Sequence, residues 1–165
     1  MTDFNLVGLL DRIHAVNQEI AVINSNLTLQ CHRYYPNLKI AGALPIIVPI
    51  VPSGTHNNEE YGSNNLASVW TIPMLMLIDN FTAGSSPADA QANCELCIQH
   101  VLTEYWNRPR LELRAATATQ TQGAYDDIME DVRITANTTI EVVNDTIASV
   151  RFTLIAETVY GTERI

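Results

Sequence analysis

Leu6, Leu9, Leu10, Ile13, Val16, Ile20 and Ile23 recur at steps of three and four residues, the repeat of one helix face. The spacing predicts an amphipathic helix capped by Asp3 and running to about Ser25, with Asp11, Arg12 and Glu19 on its other faces. The period is then lost. TLQCHRYYPNLKIAG mixes types, and Tyr34-Tyr35-Pro36 and Gly42 mark a connection with room for a short strand or turn. In ALPIIVPIVP, Ile46, Val48 and Ile50 share one face of a strand, while Pro45 and Pro49 fall on the same lateral side. Two missing N–H donors on one side predict an edge strand with that side open.

Ser53 to Asn65 (SGTHNNEEYGSNN) is rich in turn-formers and reads as a long loop, and long loops without structure of their own are usually functional or mobile. The next strand, Ala67 to Ile78, carries Trp70, Ile72, Met74 and Met76 on one face and Val69, Leu75 and Leu77 on the other. A strand apolar on both faces is central to a sandwich or covered by another subunit. Ser86 as N-cap, Pro87 at the first helical position and Asp89 in the first turn launch a second helix, which the pattern carries to about Trp106, short of Pro109. RAATATQTQGAY is a second polar loop. Beyond it, alternation through Ile128, Val132 and Ile134, then TTIEVV, then Val150, Phe152, Leu154 and Ala156 predicts an antiparallel meander with one wet face. The sum is one α+β domain over residues 1–165: a mainly antiparallel sheet of four to five strands, with two main helices packed on one face.

Size and charge narrow the function. A chain of 165 residues buries about 70% of its unfolded surface and needs no metal or disulfide to fold. Nine Lys and Arg against 18 Asp and Glu leave a net charge of −9, which lacks the cationic footprint that phosphate neutralisation requires. The first residues show neither the charged n-region nor the apolar h-region of a signal peptide, so cytosolic synthesis is expected. On that expectation the N-x-S/T matches at Asn26, Asn80, Asn137 and Asn144 carry no information. The apolar runs are about half of a membrane-spanning length.

CELCIQH, from Cys94 to His100, most resembles chemistry. Redox C-x-x-C pairs are activated where a helix begins, because free amides and the dipole stabilise the thiolate. Cys94 lies about two turns inside. At 100° per residue, Ala90, Cys94, Cys97, Ile98, Val101 and Tyr105 form the apolar stripe and His100 points aside, so core packing is favoured. A zinc site would need a distant partner such as Cys31 or His32. The four histidines follow no catalytic pattern, and His56 beside Glu59 and Glu60 reads as a solvated loop. Asp126, Asp127, Glu130 and Asp131 lack calcium-loop spacing and read as an acidic strand edge. No nucleophile elbow, P-loop, dinucleotide fingerprint or zincin motif occurs. No enzyme, cofactor or metal is expected.

The amphipathic first helix, ALPIIVPIVP, the polar loop, SVWTIPMLMLID, the helix launched by SSPADA and the meander ending in FTLIAETVYG together resemble the tail terminators, or tail completion proteins, of long-tailed bacteriophages. The resemblance is one of organisation over nearly the whole chain. It implies a structural virion protein: a hexameric ring that caps the tail tube, ends its polymerisation and offers a docking surface for the head and neck. Implied partners are sister copies, the tail tube protein and a neck or connector protein, with DNA passing unbound and no membrane involved. The implied place is the head-proximal end of the tail, after assembly in the host cytoplasm. Trp70, Ile72 and Met74 are then candidate subunit contacts. His56, Glu59, Glu60 and Tyr61 in the first loop, and Thr119, Gln120 and Gln122 in the second, are candidate partner contacts. The rivals are a head-to-tail connector and a small cytosolic ligand- or metal-binding domain.

Overall fold

A computed structural model describes residues 6–37, 45–58, 65–79, 87–114, 129–134, 138–144 and 147–161. Among these described residues, two helices, α1 (Leu6–Ile20) and α2 (Pro87–Trp106), accompany nine strands: β1 (Val22–Asn24), β2 (Leu27–Thr28), β3 (Gln30–Cys31), β4 (Ile46–Pro49), β5 (Ser53–Asn58), β6 (Asn65–Asp79), β7 (Met129–Ile134), β8 (Thr139–Asn144) and β9 (Ile147–Gly161). The class is α+β. The main sheet holds seven strands rather than four to five, and it is mixed: β3 pairs with β4 in parallel, while its other pairs are antiparallel.

Its spine is β6 against β9. Every residue from Asn65 to Asp79 has a partner from Gly161 back to Ile147, without a shift. At the usual rise, fifteen residues make a ribbon of roughly 50 Å. Each flank carries two short strands end to end: β4 and β5 along β6, β7 and β8 along β9. The expected meander is therefore corrected, because β7 and β8 lie in line along one edge of β9 rather than side by side.

Proline placement explains the β6 flank. The amide of Ile50 donates to the carbonyl of Pro73 at 2.8 Å, so Pro73 directs its backbone polar groups to that flank at the break between β4 and β5. Its missing donor falls where no ladder bond is required, which lets a proline sit inside a central strand. The proline side of β4 is not open, as expected from its missing donors, but covered by β3. Gln30 and His32 donate to the carbonyls of Pro45 and Ile47 at 2.8 and 3.0 Å. Proline lacks a donor but keeps its acceptor, so a two-residue strand still docks there.

The first helix ends sooner than the period implies. Leu29 donates its amide to the Ala21 carbonyl at 2.8 Å, and the Asn24 side chain accepts the Asn26 amide at 2.9 Å, an Asx turn that starts the β1–β2 hairpin. Ile23 packs from a strand, not from the helix. The Asp3 cap lies outside the described residues. α2 has the expected bounds.

Both helices cover one face of the sheet. Leu9, Ile13 and Val16 of α1 and Cys97, Val101 and Tyr105 of α2 share a core with Ile72, Met74, Met76 and Ile78 of β6 and Val150, Phe152 and Leu154 of β9. The Tyr105 and Phe152 rings lie 6.1 Å apart at 56°, within the range of favourable aromatic pairs. On the opposite face, Ile46 and Val48 of β4 pack with Leu75 and Leu77 of β6, and all four are buried within the chain. Leu75 and Leu77 are thus buried on this second face within a single chain, while Val69 is half-buried.

Trp70, Ile72 and Met74 expose 8%, 0% and 0% of their surface, on the helix-covered side. They are core residues of this chain and offer a neighbour almost nothing, which corrects their reading as subunit contacts. Ile72→Ala is expected to cost about 2–5 kcal/mol of fold stability. Urea unfolding checks this, and the loss should not depend on protein concentration, because the lost contacts lie inside one chain.

Candidate interaction surfaces

The thiols of CELCIQH are the strongest hint of chemistry in the sequence. Cys94 and Cys97 are buried on the core face of α2 and, like Cys31, are unpaired. Burial pushes the Cys97 thiol up to about 12, with the neighbouring Cys94 adding to it, and pushes Cys31 up to about 11. Cys94 is raised too, by burial and then by the Glu95 charge. Raised thiols are poor nucleophiles and poor ligands, the reverse of an activated pair. Among the described residues, no three His, Cys, Asp or Glu side chains converge as metal ligands.

His100, beside the stripe, has a structural partner. Its Nε2 lies 2.8 Å from the carbonyl of Ile20, the last residue of α1. A carbonyl only accepts, so Nε2 carries the proton and closes one of the helix's unsatisfied C-terminal groups. Tyr105 reinforces the junction, donating its hydroxyl to Asn17 Oδ1 at 2.6 Å in the core.

A second polar knot fastens the chain after α2. Arg108 is buried and donates to the carbonyls of Glu104 and Glu112 at 3.2 and 3.1 Å. It also pairs with the Glu104 carboxylate and lies 3.5 Å from Glu19 Oε2. Its hydrogen bond holds the Glu104 carboxyl below the usual range against the opposing effect of burial. That contribution is present above the unfolded carboxyl's range and fades as pH falls through the lowered one. Glu19 in turn accepts the Arg114 amide at 2.9 and 3.0 Å through its two oxygens. Arg12, which lies off the apolar stripe of α1, is buried and donates to the Leu111 carbonyl at 3.3 Å. Leu111 itself is buried with φ of 53°, a left-handed conformation that persists only where its surroundings over-determine it. The contacts of Glu19 with Arg108 and Arg114, and of Arg12 with Leu111, left no sequence pattern, since each joins residues from separate parts of the chain.

Three surfaces remain. On one, Arg33 bonds Asp11 at 2.8 Å and donates to the Val7 carbonyl at 3.4 Å, and its guanidinium lies 4.8 Å from the Tyr34 ring centre. Tyr34 is 73% exposed and Tyr35 is exposed beside it. His14, close by, is lowered by burial and then by the Arg33 charge, with Asp11 opposing. On the second, α2 turns Leu96, Gln99 and Thr103 towards an open groove that Ile23, His100 and Glu104 complete. Trp106, 76% exposed, lies on the same side of the helix. The third is the outer edge of β5.

The partner-contact candidates fare unevenly. His56 lies in β5, opposite Ser68 of β6. Ser53–Asn58, the first part of the stretch expected to be a loop, is therefore a strand, because β6 offers a ladder that turn-forming side chains do not prevent. Glu59, Glu60 and Tyr61 lie outside the described residues, as do Thr119, Gln120 and Gln122, and also Asp126 and Asp127. No helix among the described residues is long and apolar enough to cross a membrane. Compared with known proteins, the chain matches no family model and no curated protein.

The raised thiols give a direct check. In the native protein at pH 8, Cys97 and Cys31 are expected to react with a disulfide reagent far more slowly than in urea, where ordinary thiols appear. Because their folded values exceed that of a free thiol, stability should hold below about pH 8.5 and decline as pH rises from there towards 12, measurable as a falling unfolding midpoint.

Proposed function

We propose that this chain is a structural subunit of the tail-terminator kind: a ring-forming protein that caps a phage tail tube, ends its growth and presents a surface to the neck. The observation that carries the reading is the order of elements around the ribbon. An amphipathic helix, a proline-bounded apolar strand, a polar stretch, a long strand with Trp70, a helix launched at Pro87 and a long closing strand follow one another, as in the organisation on which the resemblance rests. The large exposed side chains support it. Trp106, Tyr34 and Tyr35 are of types enriched at protein interfaces, and with the exposed Leu96 they replace Trp70, Ile72 and Met74 as the side chains offered to sister copies or to the tube.

The net charge of −9 suits a conduit through which DNA passes unbound. In this reading the protein works at the head-proximal end of the tail, with the tube protein on one side and the neck protein on the other. The hexameric count and the partners rest on the resemblance. Electron microscopy of cells infected with phage lacking the protein tests the role: overlong, headless tails are expected. Tails of normal length that fail to join heads would transfer the assignment to a neck connector.

A further inference from the structure

We infer that the outer edge of β5 pairs with the same strand of a second copy, antiparallel and about a two-fold axis. Natural sheet edges carry devices against such pairing: short strands, bulges, charges or proline. The other edge strands have them. β3 is two residues long, β7 shifts register between Met129 and Asp131 and carries Arg133 paired to Glu157, and β8 shifts between Val142 and Asn144 and carries Glu141. β5 has none. It runs six residues, Ser53–Asn58, in unbroken register with β6 and holds no charge and no proline. Among the described residues it pairs with β6 alone.

The direction of its free groups follows from the ladder. Pro73 turns its carbonyl to the β4 and β5 flank, so Thr71, Val69 and Ala67 do the same and exchange hydrogen bonds with Ser53, Thr55 and Asn57. Gly54, His56 and Asn58 therefore present their amides and carbonyls outward. Ser53, Gly54 and Thr55 are exposed. Just ahead of them stands Val51, 82% exposed.

What satisfies a row of alternating amides and carbonyls is another extended backbone. The charge distribution favours a second copy: in a chain of net −9, Val51 to Asn58 contains no Asp or Glu, so two copies approach here without facing carboxylates. One register pairs all three outward residues, with His56 opposite His56 of the second copy and Gly54 opposite Asn58. The contact is independent of the ring reading, which requires a head-to-tail contact instead.

Two substitutions at one position test it. His56→Pro removes only an outward donor, sparing the ladder to β6, and His56→Lys sets like charges face to face across the axis. Sedimentation equilibrium of the full chain should show a two-copy species for the wild type and single chains for both variants, with far-UV circular dichroism unchanged. A wild type that stays a single chain overturns self-pairing and leaves the edge to another protein's strand. A two-copy species that survives both substitutions overturns it equally. Tail length in infected cells reads the ring role separately, so the failure of one leaves the other standing.

Discussion

The unbroken pairing of β6 with β9 is the constraint on which the remaining architecture depends. Fifteen residues on each strand keep one register, and a single-residue slip would turn every core side chain to the opposite face. That register sets Met74 against Phe152 and Ile72 against Leu154, the layer on which both helices rest. It also supplies two long flanks that shorter strands share end to end. Even the prolines obey it, since Pro73 falls where the β6 flank needs no donor.

Above the ribbon, the helices are fixed to each other by polar groups as much as by grease. His100 closes the end of α1, Tyr105 reaches Asn17, and Arg108 gathers Glu19, Glu104 and two carbonyls. Buried charges of this sort add little net stability over apolar packing, yet breaking one partner is costly. Here they fix the path of the chain from Asn107 to Arg114, including the left-handed Leu111.

The sequence makes regular elements legible where apolar period and punctuation agree. Pro87 and Pro109 bracket α2, and the alternation from Val150 to Ala156 marks the core face of β9. It is silent where a strand exists because a neighbour offers hydrogen bonds: β5 is Ser, Gly, Thr, His and Asn, and its pairing is dictated by β6. It misleads where one residue type serves two roles. Ile23 continues a helical period from a hairpin, and Pro45 and Pro49 signal an open edge although their carbonyls remain usable acceptors. The doubly apolar β6 suggests a sister subunit because side-chain pattern alone does not distinguish burial of Leu75 and Leu77 within one chain from burial against another. Surface candidates such as Tyr34 and Trp106 became recognisable only once exposure was known, as aromatic residues are ordinarily core.

The primacy of the ribbon is measurable by native-state hydrogen exchange. Amides bridging β6 and β9 should exchange only through global unfolding, at the full unfolding free energy, while those of β3 and the outward amides of the lone chain's β5 exchange through smaller openings. Greatest protection in α1 and α2, with the β6–β9 amides released at lower free energy, would contradict a fold organised around that pairing.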